Sequence, residues 1–145
     1  MGREAKGLVL IRIFTGVWFL TAGIPKLKAA YVNEQLKGML LYFAEQGSFP
    51  FYKGFLLWAA DHAKVFGYLT SFGEVATGAA LVLGLLTPVA ALGVIVMCLN
   101  YFLATKRLGP APMGLNLLCI VVGISLIIGR AGRYLGLDAK ICKGQ

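Results

Sequence analysis

Four long runs of apolar residues follow one another along the chain. They cover residues 7–27, 66–86, 88–104 and 112–128. A helix needs roughly 20 mostly apolar residues to cross a bilayer. The last two runs are shorter than that, so their ends are expected to reach into the headgroup region. The pattern predicts an all-α integral membrane protein built as a four-helix transmembrane bundle.

The connections between the runs differ in length. Only Thr87 separates the second and third runs, which predicts a tight antiparallel hairpin. A 38-residue connection, 28–65, separates the first and second runs. Its halves, NEQLKGMLLYFAEQG and FYKGFLLWAADHAKVF, have the pattern of amphipathic helices broken at Ser48-Phe49-Pro50. Its many aromatic rings suit the headgroup boundary. We therefore expect a helical insertion lying on the membrane surface.

Composition supports a membrane environment. The chain has 145 residues, of which 59% are hydrophobic, and its mean hydropathy is +0.79. A single soluble domain of this size has too little interior to hide so much apolar surface. The net charge of +8 comes from residues that lie mostly between or beyond the runs. That placement favours contact with anionic lipid over nucleic acid, so we expect one membrane domain, 1–145, with the bilayer as its partner.

The ends of the chain carry two further signals. Arg3 and Lys6 precede the first run, as in a signal peptide. Because this run is long and contains Arg12, we expect it to be retained as a helix. With four spans both termini lie on one side of the membrane. The Lys and Arg residues divide six to seven between the sides, so the positive-inside rule does not choose an orientation.

Two charged residues lie inside the apolar runs. A charge at bilayer depth costs about 2.5–3.5 kcal/mol on insertion scales, so it should face the bundle and find a partner. Arg12 shares a helix face with Gly16, Phe19 and Gly23, and Glu74 shares one with Thr70, Ser71, Thr77 and Gly78. We predict that Arg12 and Glu74 pair across an axial offset of roughly 10 Å. Thr70, Ser71 and Thr77 are expected to add hydrogen bonds. The pair either fixes helix register or forms a proton or ligand site.

Amides and thiols extend this polar set. Asn100 and Asn116 fall at similar depth on neighbouring antiparallel helices, so they are expected to bond to each other as interhelical contacts or as part of the site. In that arrangement Cys98 points about 200° away from Asn100 around its helix. A disulfide between Cys98 and Cys119 is then not expected, and both thiols are interpreted as small core residues.

The remaining chemistry is sparse. His62, beside Asp61, and Trp58 in the insertion are candidate ligand-binding residues, for example toward a quinone carbonyl. An exposed histidine without such a role is the plainer interpretation. The cysteines form no CxxC pair, one histidine cannot make a bis-histidine haem site, and no nucleotide-binding motif is present. We predict no catalytic set, no metal site and no intrinsic cofactor.

Three stretches resemble the DoxX family of small four-helix membrane proteins. LIRIFTGVWFLTAGIPKL is similar to the opening helix of that family. GEVATGAALVLGLLTPVAALGVIVMCLNYFLA resembles its second and third helices, and NLLCIVVGISLIIGRAGRYLGLD resembles its last. The likeness covers about 90 residues and leaves out the long connection. It implies links to membrane oxidoreductase assemblies and oxidative-stress responses, because named members include the small membrane-embedded subunit of an archaeal thiosulfate:quinone oxidoreductase.

Three functions follow from the resemblance and the residues together. The favoured one is an accessory or anchoring subunit of a quinone-linked redox complex in the inner cell membrane, with other membrane subunits as partners. The alternative is that the chain itself binds a quinone or another lipophilic ligand near Glu74 and Arg12. An oligomeric transporter is the third.

Overall fold

The computed structural model describes residues 2–29 and 31–141, and this part of the chain is helical without strands. Four helices are long and apolar enough to cross a membrane. They are α1 (Arg3–Lys26), α4 (Ala63–Leu83), α5 (Thr87–Thr105) and α6 (Pro110–Ile128). The predicted all-α bundle with four spans is confirmed.

The long connection is helical in both halves, as predicted. Helix α2 (Leu36–Tyr42) continues at its two ends into π-helical turns, Tyr31–Gln35 and Phe43–Gly47. The chain is extended at Ser48 and Phe49, and a 3₁₀ turn, Pro50–Tyr52, then leads into α3 (Lys53–Asp61). A short helix α7 (Leu137–Ile141) follows the last span.

The last two spans are longer than their apolar runs suggested. Helix α6 begins at Pro110, and α5 continues into a 3₁₀ turn, Lys106–Leu108. Each of α5 and α6 has 19 residues. At 1.5 Å per residue this is about 29 Å, close to the thickness of the hydrocarbon core.

The bundle consists of two closely packed helix pairs. Helix α1 packs along α4, and α5 packs along α6, whereas α1 and α6 touch only briefly. A turn joins the pairs between α4 and α5. It requires a left-handed backbone at Gly84 (φ 63°) and Leu86 (φ 47°), and glycine adopts that conformation without strain. The predicted hairpin is present, with a turn of three residues rather than one.

The two ends of the bundle are covered differently. The insertion packs over the end where α1 and α5 finish and α4 begins: Gly67 of α4 lies against Val32, and Gly47 lies against Ala104 of α5. The segment after α6 folds over the opposite end, where Arg12 receives it. We call residues 129–138 the C-terminal segment.

The outer surface of the spans is apolar. Large exposed side chains there include Leu10, Phe14, Leu69, Phe72, Val89, Leu118 and Ile128. Such a continuous apolar exterior is stable against lipid tails rather than water. The bilayer is therefore the environment of the four spans.

Candidate ligand-binding chamber

Glu74 lies inside the bundle, where its carboxylate has two hydrogen-bonding partners. The side chain of Glu74 is only 2% exposed. Lys26 Nζ donates to Glu74 Oε1 at 2.6 Å and to Oε2 at 2.8 Å, and Tyr101 Oη donates to Oε1 at 2.5 Å. Three helices thus converge on one buried acid: Lys26 comes from the end of α1 and Tyr101 from α5.

A glycine contact between α1 and α4 sets the helix register that allows this cluster. A Cβ added at Gly23 would lie 2.8 Å from the Glu74 Cβ, and one added at Gly16 would lie 2.8 Å from the Gly78 carbonyl oxygen. Small residues at such positions let two membrane helices approach closely. The Ser71 hydroxyl adds a hydrogen bond of 2.9 Å to the carbonyl of Lys26. The end of α1 is thereby held beside the first half of α4.

The predicted pairing of Arg12 with Glu74 is wrong. Both residues face inward, as expected, and Arg12 is 0% exposed. However, Arg12 lies beside Gly84, ten residues along α4 from Glu74, which is about 15 Å at 1.5 Å per residue. The close packing of the glycines sets a register between α1 and α4 in which Arg12 lies far from the acid. Lys26 takes its place.

Arg12 instead binds the C-terminal segment. Its Nη1 donates to the carbonyl oxygens of Ala131 and Tyr134, both at 3.0 Å, and its Nη2 donates to that of Leu135 at 2.9 Å. The guanidinium is suited to this work because its donors are fixed in one plane and stay charged. Its Nε has no partner among the described residues.

Asp138 holds the same segment from its other end. Its Oδ1 accepts from the N–H of Leu86 at 2.7 Å, and its Oδ2 accepts from the N–H of Thr87 at 2.9 Å. These N–H groups begin α5, where a carboxylate is favourable. Burial acts to raise the pKa of Asp138, but the hydrogen bonds from Thr87 and Leu86 and the charge of Arg12 outweigh it. The pKa is therefore below its ordinary value.

A chamber of about 150 Å³ opens beside the Glu74 cluster. Its lining residues come from α1, α4, α5 and α6: Trp18, Phe19, Ala22, Lys26, Glu74, Cys98, Tyr101, Leu115, Asn116 and Cys119.

The charge of Glu74 also affects a residue outside the spans. Burial, with Glu74 as a second cause, raises the pKa of Tyr31 in the insertion to about 12.

An apolar groove adjoins the chamber. It has a volume of about 510 Å³ and lies between α1 and α6, where the two helix pairs diverge. Trp18, Leu115 and Cys119 line both the groove and the chamber. Its other lining residues are Leu10, Ile11, Phe14, Thr15, Leu118 and Val122. The groove thus connects the lipid-facing side of the bundle with the buried acid.

The two asparagines do not bond to each other as predicted. Asn100 Oδ1 accepts from Tyr52 Oη at 2.5 Å, and Asn116 donates to the carbonyl of Pro112 at 2.8 Å. Asn100 therefore faces the insertion, whereas Asn116 lines the chamber. The prediction failed because the insertion supplies a phenol that competes for Asn100. Burial raises the pKa of Tyr52, so this phenol remains a donor.

The same error affected the predicted orientation of Cys98. With Asn100 turned toward the insertion, Cys98 turns toward α6. Cys98 belongs to the core cluster against which Cys119 packs, and both side chains line the chamber. Both cysteines are free. They are core residues, as expected, but they also form an adjacent pair.

The hydroxyl groups predicted around Glu74 play other parts. Ser71 donates to carbonyl oxygens, at 2.7 Å to Gly67 and at 2.9 Å to Lys26. Such bonds to the preceding turn are common for helical serine. Thr77 packs against Gly93 of α5, and Thr70 is partly exposed. Among the described residues the hydrogen bonds of Glu74 come from Lys26 and Tyr101, so the predicted bonds from these hydroxyls are wrong.

His62 and Trp58 lie on the surface of the insertion, outside the chamber lining. Their rings are 5.0 Å apart, and His62 Nδ1 is 2.9 Å from the carbonyl oxygen of Trp58. Their suggested role in ligand binding stays a prediction. Lys26 and Tyr101 were not predicted as site residues. The sequence contained an indication for Lys26, because this cation follows Gly23 by three residues and therefore lies on the same inward face of the helix.

The fold and the site define a multi-pass, all-α membrane protein with a polar chamber between its helices. A family model described as DoxX matches residues 7–107. The chain belongs to the DoxX family, whose members are small multi-pass membrane proteins. No curated protein and no solved structure matches the chain. The matched range includes Lys26, Glu74, Tyr101 and Cys98, and it ends before Asn116 and Cys119.

Proposed function

We propose that this protein is a subunit of a quinone-linked redox complex in the inner cell membrane and that it binds the quinone itself. The chamber would receive the polar head of the quinone, and the groove would receive its apolar tail. One observation carries the proposal: the cluster of Glu74, Lys26 and Tyr101 borders a chamber that shares walls with an apolar groove.

The cluster has the chemistry to hold both redox forms of a quinone. A quinone head presents carbonyl oxygens that accept hydrogen bonds. The ammonium of Lys26 has three N–H donors, and it contacts Glu74 with two short bonds. A quinol presents hydroxyl groups that donate, and the carboxylate of Glu74 accepts from them. The same residues therefore suit the oxidised form through Lys26 and the reduced form through Glu74.

The groove suits the rest of such a molecule. Its volume of about 510 Å³ falls within the roughly 300–1,000 Å³ that is usual for small-molecule sites. The lining is apolar except for Thr15. The hydroxyl of Thr15 donates to the carbonyl oxygen of Ile11 at 2.8 Å, so it is already hydrogen-bonded within its own helix. A lipophilic molecule would enter sideways from the bilayer and would meet polar groups only at the inner end.

Ligand binding explains the chamber better than anchoring alone does. An anchoring subunit needs an exterior that fits its partners, and it gains nothing from a buried acid beside a cavity.

Quenching of Trp18 fluorescence tests the proposal. The chain has two tryptophans, so Trp58→Phe leaves Trp18, which lines both cavities, as the sole reporter. A ring-substituted quinone such as decylubiquinone should quench it saturably in lipid nanodiscs. Glu74→Gln and Lys26→Met should each weaken binding about tenfold, equivalent to ~1.4 kcal/mol.

Glu45→Gln is the matched control, because it makes the same chemical change at an exposed position. It should leave binding unchanged. Quenching that never saturates, or that is equal in all variants, would contradict quinone binding in the chamber.

A further inference from the structure

Two cysteines from different helices line the wall of the chamber. Cys98 of α5 is 3% exposed, and Cys119 of α6 packs against the core cluster that contains Cys98. Both line the chamber together with Glu74 and Tyr101, and Cys119 also lines the groove. A bound molecule that extends from the groove into the chamber passes this pair.

A buried cysteine most often serves as a small apolar side chain. Two features separate this pair from that ordinary case. The two cysteines lie in one core cluster, on two helices that pack closely along each other. They also border a cavity, so a ligand can reach them without the bundle opening.

We propose that Cys98 and Cys119 form a redox-active dithiol that reduces the quinone bound in the chamber. The proposal rests on the function proposed above, because it needs a quinone as the oxidant. It adds a site and a reaction class: dithiol oxidation coupled to quinone reduction.

The reaction balances between the dithiol and one quinone. The S–H bonds of Cys98 and Cys119 break, and an S–S bond forms between the two sulfur atoms. The two electrons released reduce the quinone ring. Its two oxygens take up two protons, which gives a quinol and a protein disulfide. A thiol-containing reductant, from a partner subunit or from solution, returns the disulfide to the dithiol by exchange.

The Glu74 cluster lies where protons are needed. Tyr101 Oη bonds to Glu74, and Glu74 bonds to Lys26, which is 24% exposed at the end of α1. These hydrogen bonds form a continuous chain from the chamber wall to the partly exposed ammonium. Protons lost by the thiols and gained by the quinone oxygens can travel along it, so the same cluster binds the head and carries its protons.

A single-turnover experiment tests the proposal. Cys142→Ser leaves Cys98 and Cys119 as the only cysteines, since the sequence has three. The protein is reduced, freed of reductant without oxygen and mixed in nanodiscs with decylubiquinone, whose fully substituted ring resists addition of a thiol. We expect one quinol per chain. After denaturation, neither cysteine should react with maleimide, and mass spectrometry should detect a disulfide-linked peptide pair.

Single variants separate this reaction from quinone binding. Cys98→Ala and Cys119→Ala should each abolish quinol formation, and circular dichroism in nanodiscs checks that each variant is folded. If quinone quenches Trp18 but both thiols stay reduced, the dithiol proposal is overturned and the proposed function stands. If quinone does not bind at all, both proposals fall. If the Cys98→Ala variant formed as much quinol as the Cys142→Ser protein, the dithiol proposal would also be overturned.

Discussion

Gly23 and Glu74 are in direct contact across α1 and α4, and this contact decides which cation pairs with the buried acid. A Cβ added at Gly23 would lie 2.8 Å from the Glu74 Cβ and 3.0 Å from the backbone nitrogen of Val75. One turn further along α1, the chain places Lys26 against the carboxylate. The close approach of the backbones and the position of the ammonium are therefore one feature.

The first prediction concerns this contact. Gly23→Ala should destabilise the bundle by about 1–3 kcal/mol, because the added methyl meets backbone atoms that cannot move freely. Gly7→Ala is the control: it lies in the same helix with nothing within 4 Å of its added Cβ. That change should be neutral or stabilising by up to about 1 kcal/mol through helix propensity. Unfolding in mild detergent measures both, and equal effects would contradict a close contact at Gly23.

The second prediction concerns the pair of Lys26 and Glu74. Lys26→Met should strand a buried carboxylate and destabilise toward the lower end of ~3–5 kcal/mol, since Lys26 keeps some exposure that softens the loss. The double variant Lys26→Met with Glu74→Leu should recover much of that loss, because no charge is left unpaired. Lys28→Met, at an exposed position, serves as the control. A double variant no more stable than the single one would argue against the pairing.

The third prediction concerns Arg12. Arg12→Leu removes donors from three carbonyl oxygens, and hydrogen bonds to a charged group contribute about 1.5–3 kcal/mol each. The C-terminal segment should then exchange its amide hydrogens much faster, as hydrogen-exchange mass spectrometry would detect. Arg12→Lys should rescue little, because one ammonium does not match the planar fork. Slow exchange in both variants would show that Asp138 alone holds the segment.

The fourth prediction concerns pH. The pKa of Asp138 in the folded protein is below its ordinary value. Its contribution to stability is then fully present above pH ~3.9, the ordinary pKa. It is lost as the pH falls through the lower folded-state pKa. The protection of the backbone amides in the C-terminal segment, measured relative to the intrinsic exchange rate at each pH, should fall over that acidic range. Asp138→Asn should remove this dependence. An unchanged pH profile in that variant would assign the effect to another acid.

The sequence was sufficient to predict the four spans and the helical insertion, because apolar run length and amphipathic pattern are local properties. Helix register is not local. With the ends of the runs aligned, Arg12 and Lys26 each lie seven residues from the level of Glu74, on opposite sides. The pattern therefore offered two equivalent cations. The fit of Gly16 against Gly78 chose between them, and such a fit depends on contacts that periodicity does not encode.

The thiol pair was missed for a related reason. The angular position of Cys98 was inferred from Asn100, on the assumption that the asparagine faced α6. Tyr52, 48 residues earlier in the chain, turned out to be its partner. A phenol from a separate segment changed the orientation of a whole helix face, and only the folded chain brings these residues together.

The division of the bundle into two pairs has a mechanical consequence. The closest packing lies within the pair α1/α4 and within the pair α5/α6, and α4 packs on α5 more closely than α1 packs on α6. At one end they are tied by the α4–α5 turn and by Arg12, which clasps the segment that follows α6. At the other end the insertion and the hydrogen bond from Tyr101 to Glu74 join α5 to the first pair, whereas the groove runs between α1 and α6 past Trp18 and Leu115. Any widening of the bundle would therefore occur between α1 and α6 at the insertion end, while α4 and α5 stay joined at both ends.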